Sequence, residues 1–338
     1  MHFSRLQVSD LLLANSHGET VARYHRPLRI IDLAESGFPA PRAPRTPTVM
    51  PILSELFLYP IKSCAGISVT RARLLESGLE HDRGWMVAEP SGAMVTQREH
   101  ARLALVRVAI GETELLVDAP GMPTLCTPLD PRAHQGAPTL RVTVWGSSFD
   151  ALDTGAATAQ WFSDYLGITV RLMRFSPEVR REVSREWTGR LSTHTQFADG
   201  FPVMVVGQSS LDDLNARLAR RGVPAVGMDR FRPNLVIAGL AAYEEDFVEQ
   251  LDVQTASGPI RLRLVKLCTR CPIPDIDQTL GGPHPQWPHE PLDTLSTYRA
   301  SARFGGALTF GKHAVLASAG AGVLETGLPL EAEIGFDD

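Results

Sequence analysis

Cys268 and Cys271 stand at C-x-x-C spacing in Val265-Lys-Leu-Cys-Thr-Arg-Cys-Pro272, with Lys266 and Arg270 beside them. The thiolate is the form of cysteine that attacks an electrophile or binds a soft metal, and neighbouring cations favour it over the thiol. Two other segments carry groups that grip anions. Arg232 lies in Phe231-Arg-Pro-Asn234, and Lys62 in Tyr59-Pro-Ile-Lys-Ser63. A guanidinium holds phosphate through two parallel hydrogen bonds, while the Asn234 amide offers both a donor and an acceptor to a heterocycle edge. A soft ligand combined with anion-binding groups points to a phosphorylated, metal-bearing cofactor rather than a bare ion.

Each piece alone has plainer readings, and these stay open. The cysteine pair could be half of a structural zinc site, with Cys64, Cys126, His284 and His289 as further ligands, but none of these forms a second pair. It could be a thioredoxin-like redox pair, though the βαβ setting is missing. It could be two core cysteines. Arg232, the Lys62-Ser63 pair, and Arg83 in His81-Asp-Arg-Gly-Trp85 could each be surface residues. Only three of the 33 basic residues are lysines: Lys62 and Lys266 lie in these segments, and Lys312 lies in Phe310-Gly-Lys-His313. Lysine and arginine differ in hydration and geometry, which gives that bias some weight.

The elements that must position these residues are mostly strands. Pro272 and Pro274 stop the strand over 260–267, which leaves Cys271 entering a loop. Pro233 biases Arg232 towards extended backbone, with a strand following over 234–238. Further strands are predicted over 53–59, 103–110, 115–117, 202–206 and 251–255. Leu140, Val142 and Val144 alternate with Arg141 and Thr143, as in a half-buried strand. Ser91-Gly92 reads as a hairpin turn. Gly155 to Gly167 reads as a helix whose Trp161, Phe162, Tyr165 and Leu166 enter the core. Ser210-Leu-Asp-Asp213 reads as a capping box opening a helix with Leu211, Leu214 and Leu218 inward and Gly222 at its end. There is no internal repeat, no G-x-G-x-x-G and no P-loop. The expected fold is α+β and β-rich, without a doubly wound parallel sheet.

Composition narrows the class. A chain of 338 residues with 43% hydrophobic and 21% charged residues can bury one large core or two ordinary ones. A net charge of −5 argues against a general nucleic-acid or anionic-membrane surface. No apolar run approaches the roughly 18–20 residues that a membrane span requires. Four cysteines are too few for a disulfide scaffold, so a reducing, cytoplasmic location is expected. The Pro-rich stretch 37–49 reads as a linker. Residues 1–50 are therefore expected to be a disordered extension or the product of a start codon called too early, with Met50 the initiator.

Taken in order, six segments resemble those of the MOSC-domain proteins, and more closely the mitochondrial amidoxime-reducing components and their bacterial relatives. They are Leu-Tyr-Pro-Ile-Lys-Ser-Cys-Ala-Gly (58–66), His-Asp-Arg-Gly-Trp (81–85), Met-Val-Thr-Gln-Arg (94–98), Phe-Arg-Pro-Asn (231–234), Cys-Thr-Arg-Cys (268–271) and Phe-Gly-Lys-His (310–313). The resemblance implies an N-terminal β-barrel domain over 51–180 and a MOSC domain over 190–335, with molybdenum cofactor between them. It implies Cys271 as the metal-ligating and catalytic thiolate, and cofactor contacts from Lys62, Ser63, Arg83, Arg232 and Asn234. Thr269 and His313 match two more positions where relatives carry Ser and Tyr, and the charge of His313 is expected to depend on pH. The implied activity is two-electron reduction of small N-hydroxylated molecules with release of water. Neither a membrane anchor nor a fused ferredoxin-like domain is evident. Electrons would come from a separate donor protein, such as a ferredoxin, a flavin reductase or a cytochrome b5-like protein. Asp199, Asp275 and Asp277 are nearby acids without an assigned role. MOSC domains also occur in cofactor sulfurases, so sulfur transfer through a cysteine persulfide, or a non-catalytic cofactor carrier, are alternatives.

Overall fold

The first strand of the fold, Ile52–Leu58, pairs with Leu235–Ala238, almost two hundred residues further along the chain. The computed structural model describes residues 50–318 and 321–335. The expectation for residues 1–50 falls, apart from Met50, outside the described residues. Within them the protein is β-rich, α+β, and dominated by one large sheet. That sheet runs, edge to edge, through Ile67–Val69, Ile52–Leu58, Leu235–Ala238, Val203–Gly207, Ala307–Leu316, Gly258–Thr269, Val248–Thr255 and Leu330–Ile334. Its one parallel pairing joins Val203–Gly207 to Leu235–Ala238. The connection between those strands carries the helix Gln208–Arg220, since parallel neighbours need a crossover of this length.

A four-stranded antiparallel sheet is built from Trp85–Ala88, Arg171–Arg174, Ser147–Asp153 and Thr139–Val144. Val142 and Val144 are fully buried and Arg141 and Thr143 exposed, as the alternation predicts. The helix Ala156–Leu166 packs against this part, bounded by Gly155 and by Gly167 at φ 72°. Its Trp161, Phe162 and Tyr165 are buried with Trp85, Leu103 and Leu172, while Leu166 is only partly buried. The Ser91-Gly92 turn is present, with Gly92 at φ 85° and its N–H donating to Glu89 O at 2.9 Å.

Two local expectations are corrected. The stretch 103–110 is not one strand, because Ala101–Leu105 forms a 3₁₀ turn before the strand Arg107–Ile110. Leu103, Ala104 and Val106 are all buried, and an apolar run buried on every side carries no period that separates a strand from a turn. The capping box at Ser210 does not form either. The helix begins at Gln208, and its N-terminus is satisfied by Glu245, 35 residues beyond Ser210. Glu245 accepts from Gly207 N–H at 3.1 Å and from Ser210 Oγ at 2.7 Å. A carboxylate at a helix N-terminus meets both the unpaired N–H groups and the dipole.

The inward face of that helix is as expected, with Leu211, Leu214 and Leu218 buried against Val206, Val236, Phe231 and Phe310. This helix holds the back of the sheet that carries Cys268. Leu214→Ala should cost about 2–5 kcal/mol in urea-induced unfolding, the usual range for a fully buried leucine. A loss under about 1 kcal/mol would mean that this face is not packed as described.

Candidate active site

The short segment after the first strand zips against the segment preceding Trp85. Arg83 N–H donates to Tyr59 O at 2.8 Å, Lys62 N–H to Trp85 O at 2.8 Å, and Tyr59 N–H to an Asp82 carboxylate oxygen at 2.8 Å. Those bonds bring Lys62 and Ser63 beside Arg83. The second half of the chain then delivers Arg232 and Asn234 at the entry to Leu235–Ala238, and the cysteine pair at the exit of Gly258–Thr269. All eight residues singled out from the sequence line one cleft: Lys62, Ser63, Arg83, Arg232, Asn234, Thr269, Cys271 and His313. Its apolar wall includes Phe201, Met204, Phe231 and Ile273.

Charge dominates the cleft. Lys62, Arg83, Arg98, Arg230, Arg232 and Arg270 line it, and Asp199 is the one carboxylate among its described lining residues. Tyr59 organises two of these cations, for the guanidiniums of Arg83 and Arg232 each lie 4.3 Å from its ring centroid. Arg83 is further held by Asp82 through bonds of 2.8 and 2.6 Å, and Arg232 donates to Cys64 O at 2.7 Å. Burial lowers the pKa of Arg232, and the neighbouring Arg83 lowers it further. Ser63, Arg83 and Arg232 adopt φ of 65°, 47° and 54°. Three side-chain-bearing residues in the left-handed region at one site mark backbone strain held by surrounding structure. For Arg232 this corrects the extended conformation expected before Pro233. Its carbonyl accepts from Arg83 Nη2 at 3.2 Å, and its side chain must reach back over Tyr59.

Lys62 is buried, donates to Phe197 O at 2.9 Å and pairs with Asp199. Burial lowers its pKa, while Asp199 pulls it back up. Burial works against ionisation of the half-exposed Asp199, but Lys62 and the Trp145 indole, which donates at 2.8 Å, hold its carboxyl well below the usual range. Asp275 and Asp277 lie away from this pair. Asp275 is pushed up to about 6 by burial and accepts from Leu292 N–H; Asp277 anchors Arg230 at 2.6 Å.

The two cysteines divide sharply. Cys268 is buried with Phe231 and Phe310, whose rings stack at 4.0 Å, and burial pushes its thiol pKa up despite Arg270 and Lys266. The expectation that those flanking cations favour a thiolate therefore fails for Cys268. Arg270 spends its guanidinium on the carbonyls of Phe231 and Phe310. Cys271, past the strand end, is only partly buried and lines the cleft. Among the described residues no group of three or more His, Cys, Asp or Glu side chains is placed to hold a metal ion.

Asn234 also differs from expectation. Its amide accepts from Met204 N–H at 3.1 Å and donates to Phe57 O at 3.2 Å, so both ends already tie three strands together. His313 stacks on Phe201 at 4.8 Å, and its Nδ1 is buried without a hydrogen-bond partner among the described residues. Burial, then Arg270, pushes its pKa down to about 3, so the imidazole is neutral through the working pH range. Sequence reasoning assigned no site role to Tyr59, Arg98, Arg230 or Trp145, and to Arg270 only that of a cation beside the cysteines. For Tyr59, Arg98 and Arg230 the signal was proximity to the motifs, which arginine abundance on this chain hides for the latter two.

The donor set fits a phosphorylated cofactor carrying a soft metal. Arg98, Arg232 and Arg270 have no carboxylate partner among the described residues, and an accessible cysteine faces them. The chain is similar to known proteins along most of its described length. The MOSC N-terminal beta barrel domain matches residues 50–169 and the MOSC domain matches 192–330. Mitochondrial amidoxime-reducing component 1 of Mus musculus is 34% identical over 83% of this chain and 82% of its own. Mitochondrial amidoxime reducing component 2 of Bos taurus is 35% identical over 73% and 72%.

The chain belongs to the MOSC-domain family. Human mitochondrial amidoxime-reducing component 1 is 32% identical over 79% of both chains. As a MOSC-domain protein it contains, among the described residues, no helix long and apolar enough to cross a membrane.

The depressed pKa of His313 makes a stability prediction. Its folded pKa of about 3 lies below the ordinary 6.5, so the unfolded chain takes up the proton first. Stability is lost as pH falls from about 6.5 towards 3, by at most about 1.4 kcal/mol per pH unit from this residue. His313→Asn should flatten that part of the profile measured by urea unfolding. Identical slopes in the two proteins would mean that His313 protonates freely.

Proposed function

We propose that this protein is a molybdenum-cofactor-dependent oxidoreductase that reduces small N-hydroxylated molecules. On this reading it is cytoplasmic and takes its electrons from a separate donor protein. The observation that carries the proposal is the cleft itself: six cations around one accessible thiol, with one carboxylate among the described lining residues. Such a set suits a ligand bearing both phosphate and a soft metal. The names of the relatives, amidoxime-reducing components, favour reduction of an N-hydroxylated group.

Bound molybdenum cofactor would supply the two-electron chemistry that cleaves an N–O bond. The protein's part is binding and orientation. Cys271 would ligate the metal, since it is the more exposed of the two cysteines lining the cleft, while Cys268 is buried against the aromatic core. Arg232, pre-oriented on Tyr59 and by Cys64 O, would hold the phosphate together with Arg83. Lys62 would keep a compact positive charge beneath the ligand, tethered by Phe197 O. Ser63 and Thr269 border the same cleft and offer hydroxyls, and neutral His313 offers an unpaired ring nitrogen. Asn234 would act by holding strands in register, because its amide is already occupied. Asp199, ionised and paired with Lys62, would accept rather than donate a hydrogen bond.

Protein purified from a host that makes the cofactor should contain close to one molybdenum per chain by metal mass spectrometry. It should reduce hydroxylamines or amidoximes with reduced methyl viologen. Negligible metal together with cyanolysable sulfur on Cys271 would indicate sulfur transfer instead; full metal without turnover would indicate a cofactor carrier.

Cys271→Ser should retain less than about a tenth of the metal and of the reductase activity, because a hard hydroxyl replaces the soft ligand. Cys268→Ser should stay within a few-fold of the parent. Arg232→Ala should weaken cofactor retention roughly 10- to 100-fold on dialysis, as charge-assisted hydrogen bonds contribute about 1.5–3 kcal/mol. A Cys271→Ser protein with the parent's metal content would overturn the ligand assignment.

A further inference from the structure

A second concavity of about 640 Å³ opens along the strand Gly258–Thr269, on residues outside the cleft. Its cations are Arg263, Lys266, Arg303 and Lys312, and its aromatic residues are Trp187 and Phe247. Two of the three lysines in the chain are therefore here. The carboxylates are Glu186, Asp246 and Glu249, but Asp246 is taken by Arg299 at 2.5 Å. Lys312 donates to the carbonyls of Asp246 and Val248 at 2.9 Å. Lys266 sits 4.9 Å over the Trp187 ring, and Arg303 5.5 Å from its centroid. Neither Arg263 nor Lys266 has a carboxylate partner among the described residues. Phe247 leaves 50% of its surface exposed.

One layer of side chains separates this groove from the cleft. Trp187 and Val265, which line the groove, pack in one cluster with Val183, Phe201 and Val315. Phe201 faces the cleft from the other side and stacks on His313. Lys266 is the ladder partner of His313.

We propose that this groove is the docking surface for the electron donor, a small acidic redox protein. The inference rests on the reductase reading above. A cleft filled by cofactor and substrate leaves a donor to approach from elsewhere, and electron transfer needs proximity without bond formation. Each encounter oxidises the donor by one electron. Two encounters supply the pair that N–O cleavage consumes with two protons, yielding water and the reduced substrate. The chain as a whole carries a net charge of −5 and so disfavours an acidic partner over most of its surface, whereas Arg263 and Lys266, without a carboxylate partner among the described residues, attract one here. Trp, Arg and an exposed Phe are also the residue types that concentrate binding energy at interfaces.

The test compares the loaded parent with Arg263→Glu and Phe247→Ala, neither of which lines the cleft. Turnover is driven either by reduced methyl viologen or by an acidic [2Fe–2S] ferredoxin kept reduced by its reductase. With methyl viologen, both variants should match the parent within about two-fold. With ferredoxin at about 20 mM salt, Arg263→Glu should lower kcat/KM roughly ten-fold, and the deficit should vanish near 300 mM. Phe247→Ala should raise KM for ferredoxin several-fold at either salt concentration. Unchanged ferredoxin kinetics, equal losses with both donors, or a parent that ferredoxin cannot saturate would each overturn the docking assignment. A parent inactive with methyl viologen would instead overturn the reductase reading, and the docking assignment with it.

Discussion

Two guanidiniums sharing one tyrosine ring form the interaction on which the site depends. Arg83 and Arg232 repel each other and are both largely withdrawn from water, yet each lies 4.3 Å from the Tyr59 centroid. The ring's negative face offsets part of that cost, and Asp82 and the carbonyl of Cys64 offset more. Burial holds the Tyr59 phenol above its ordinary pKa, so the ring stays neutral. Among the described residues its hydroxyl has no hydrogen-bond partner. A neutral, tightly packed aromatic body between the cations keeps them apart and directs them into the cleft. Gly66 belongs to the same arrangement, since a Cβ there would come within 2.4 Å of the Tyr59 ring.

That arrangement explains why both halves of the chain must share a sheet. Tyr59, Lys62, Ser63 and Arg83 come from the N-terminal half, and Arg232 and the cysteines from the C-terminal half. The pairing of Ile52–Leu58 with Leu235–Ala238 brings the Tyr59 and Arg232 segments side by side. Asn234 reinforces the junction by bonding the backbones of Phe57 and Met204. The cleft is therefore a property of the joined sheet. Left-handed backbone at Ser63, Arg83 and Arg232 is tolerated because these ladder and side-chain bonds over-determine each position.

The cysteine pair shows how position on a strand separates two chemically equal groups. Cys268 sits in a register shift one residue before the strand ends at Thr269 and packs with the aromatic layer of Phe231 and Phe310. Three residues later the ladder has ended, Pro272 turns the chain, and Cys271 reaches the cleft. Arg270 between them fastens the turn by hydrogen-bonding three times to backbone carbonyls. Its charge lines the cleft while its hydrogen bonds hold the wall.

Sequence alone determined most local elements and the motif residues of the site, but neither the 3₁₀ turn Ala101–Leu105 nor the part played by Tyr59, Arg98 and Arg230. Val142 and Val144 gave their strand a buried face by period, and Gly155 and Gly167 bounded a helix because few other residues suit those ends. The motif residues all line one cleft, so the segments that carry them were legible as parts of one site. Tertiary structure decided what each group has free to offer. The conformation of Arg232, the occupied amide of Asn234, the neutral state of His313 and the inert thiol of Cys268 all depend on partners far away in the chain. So does the Glu245 cap on the helix Gln208–Arg220. Burial and hydrogen-bond occupancy are set by neighbours in space, and a residue's type and spacing carry no record of them.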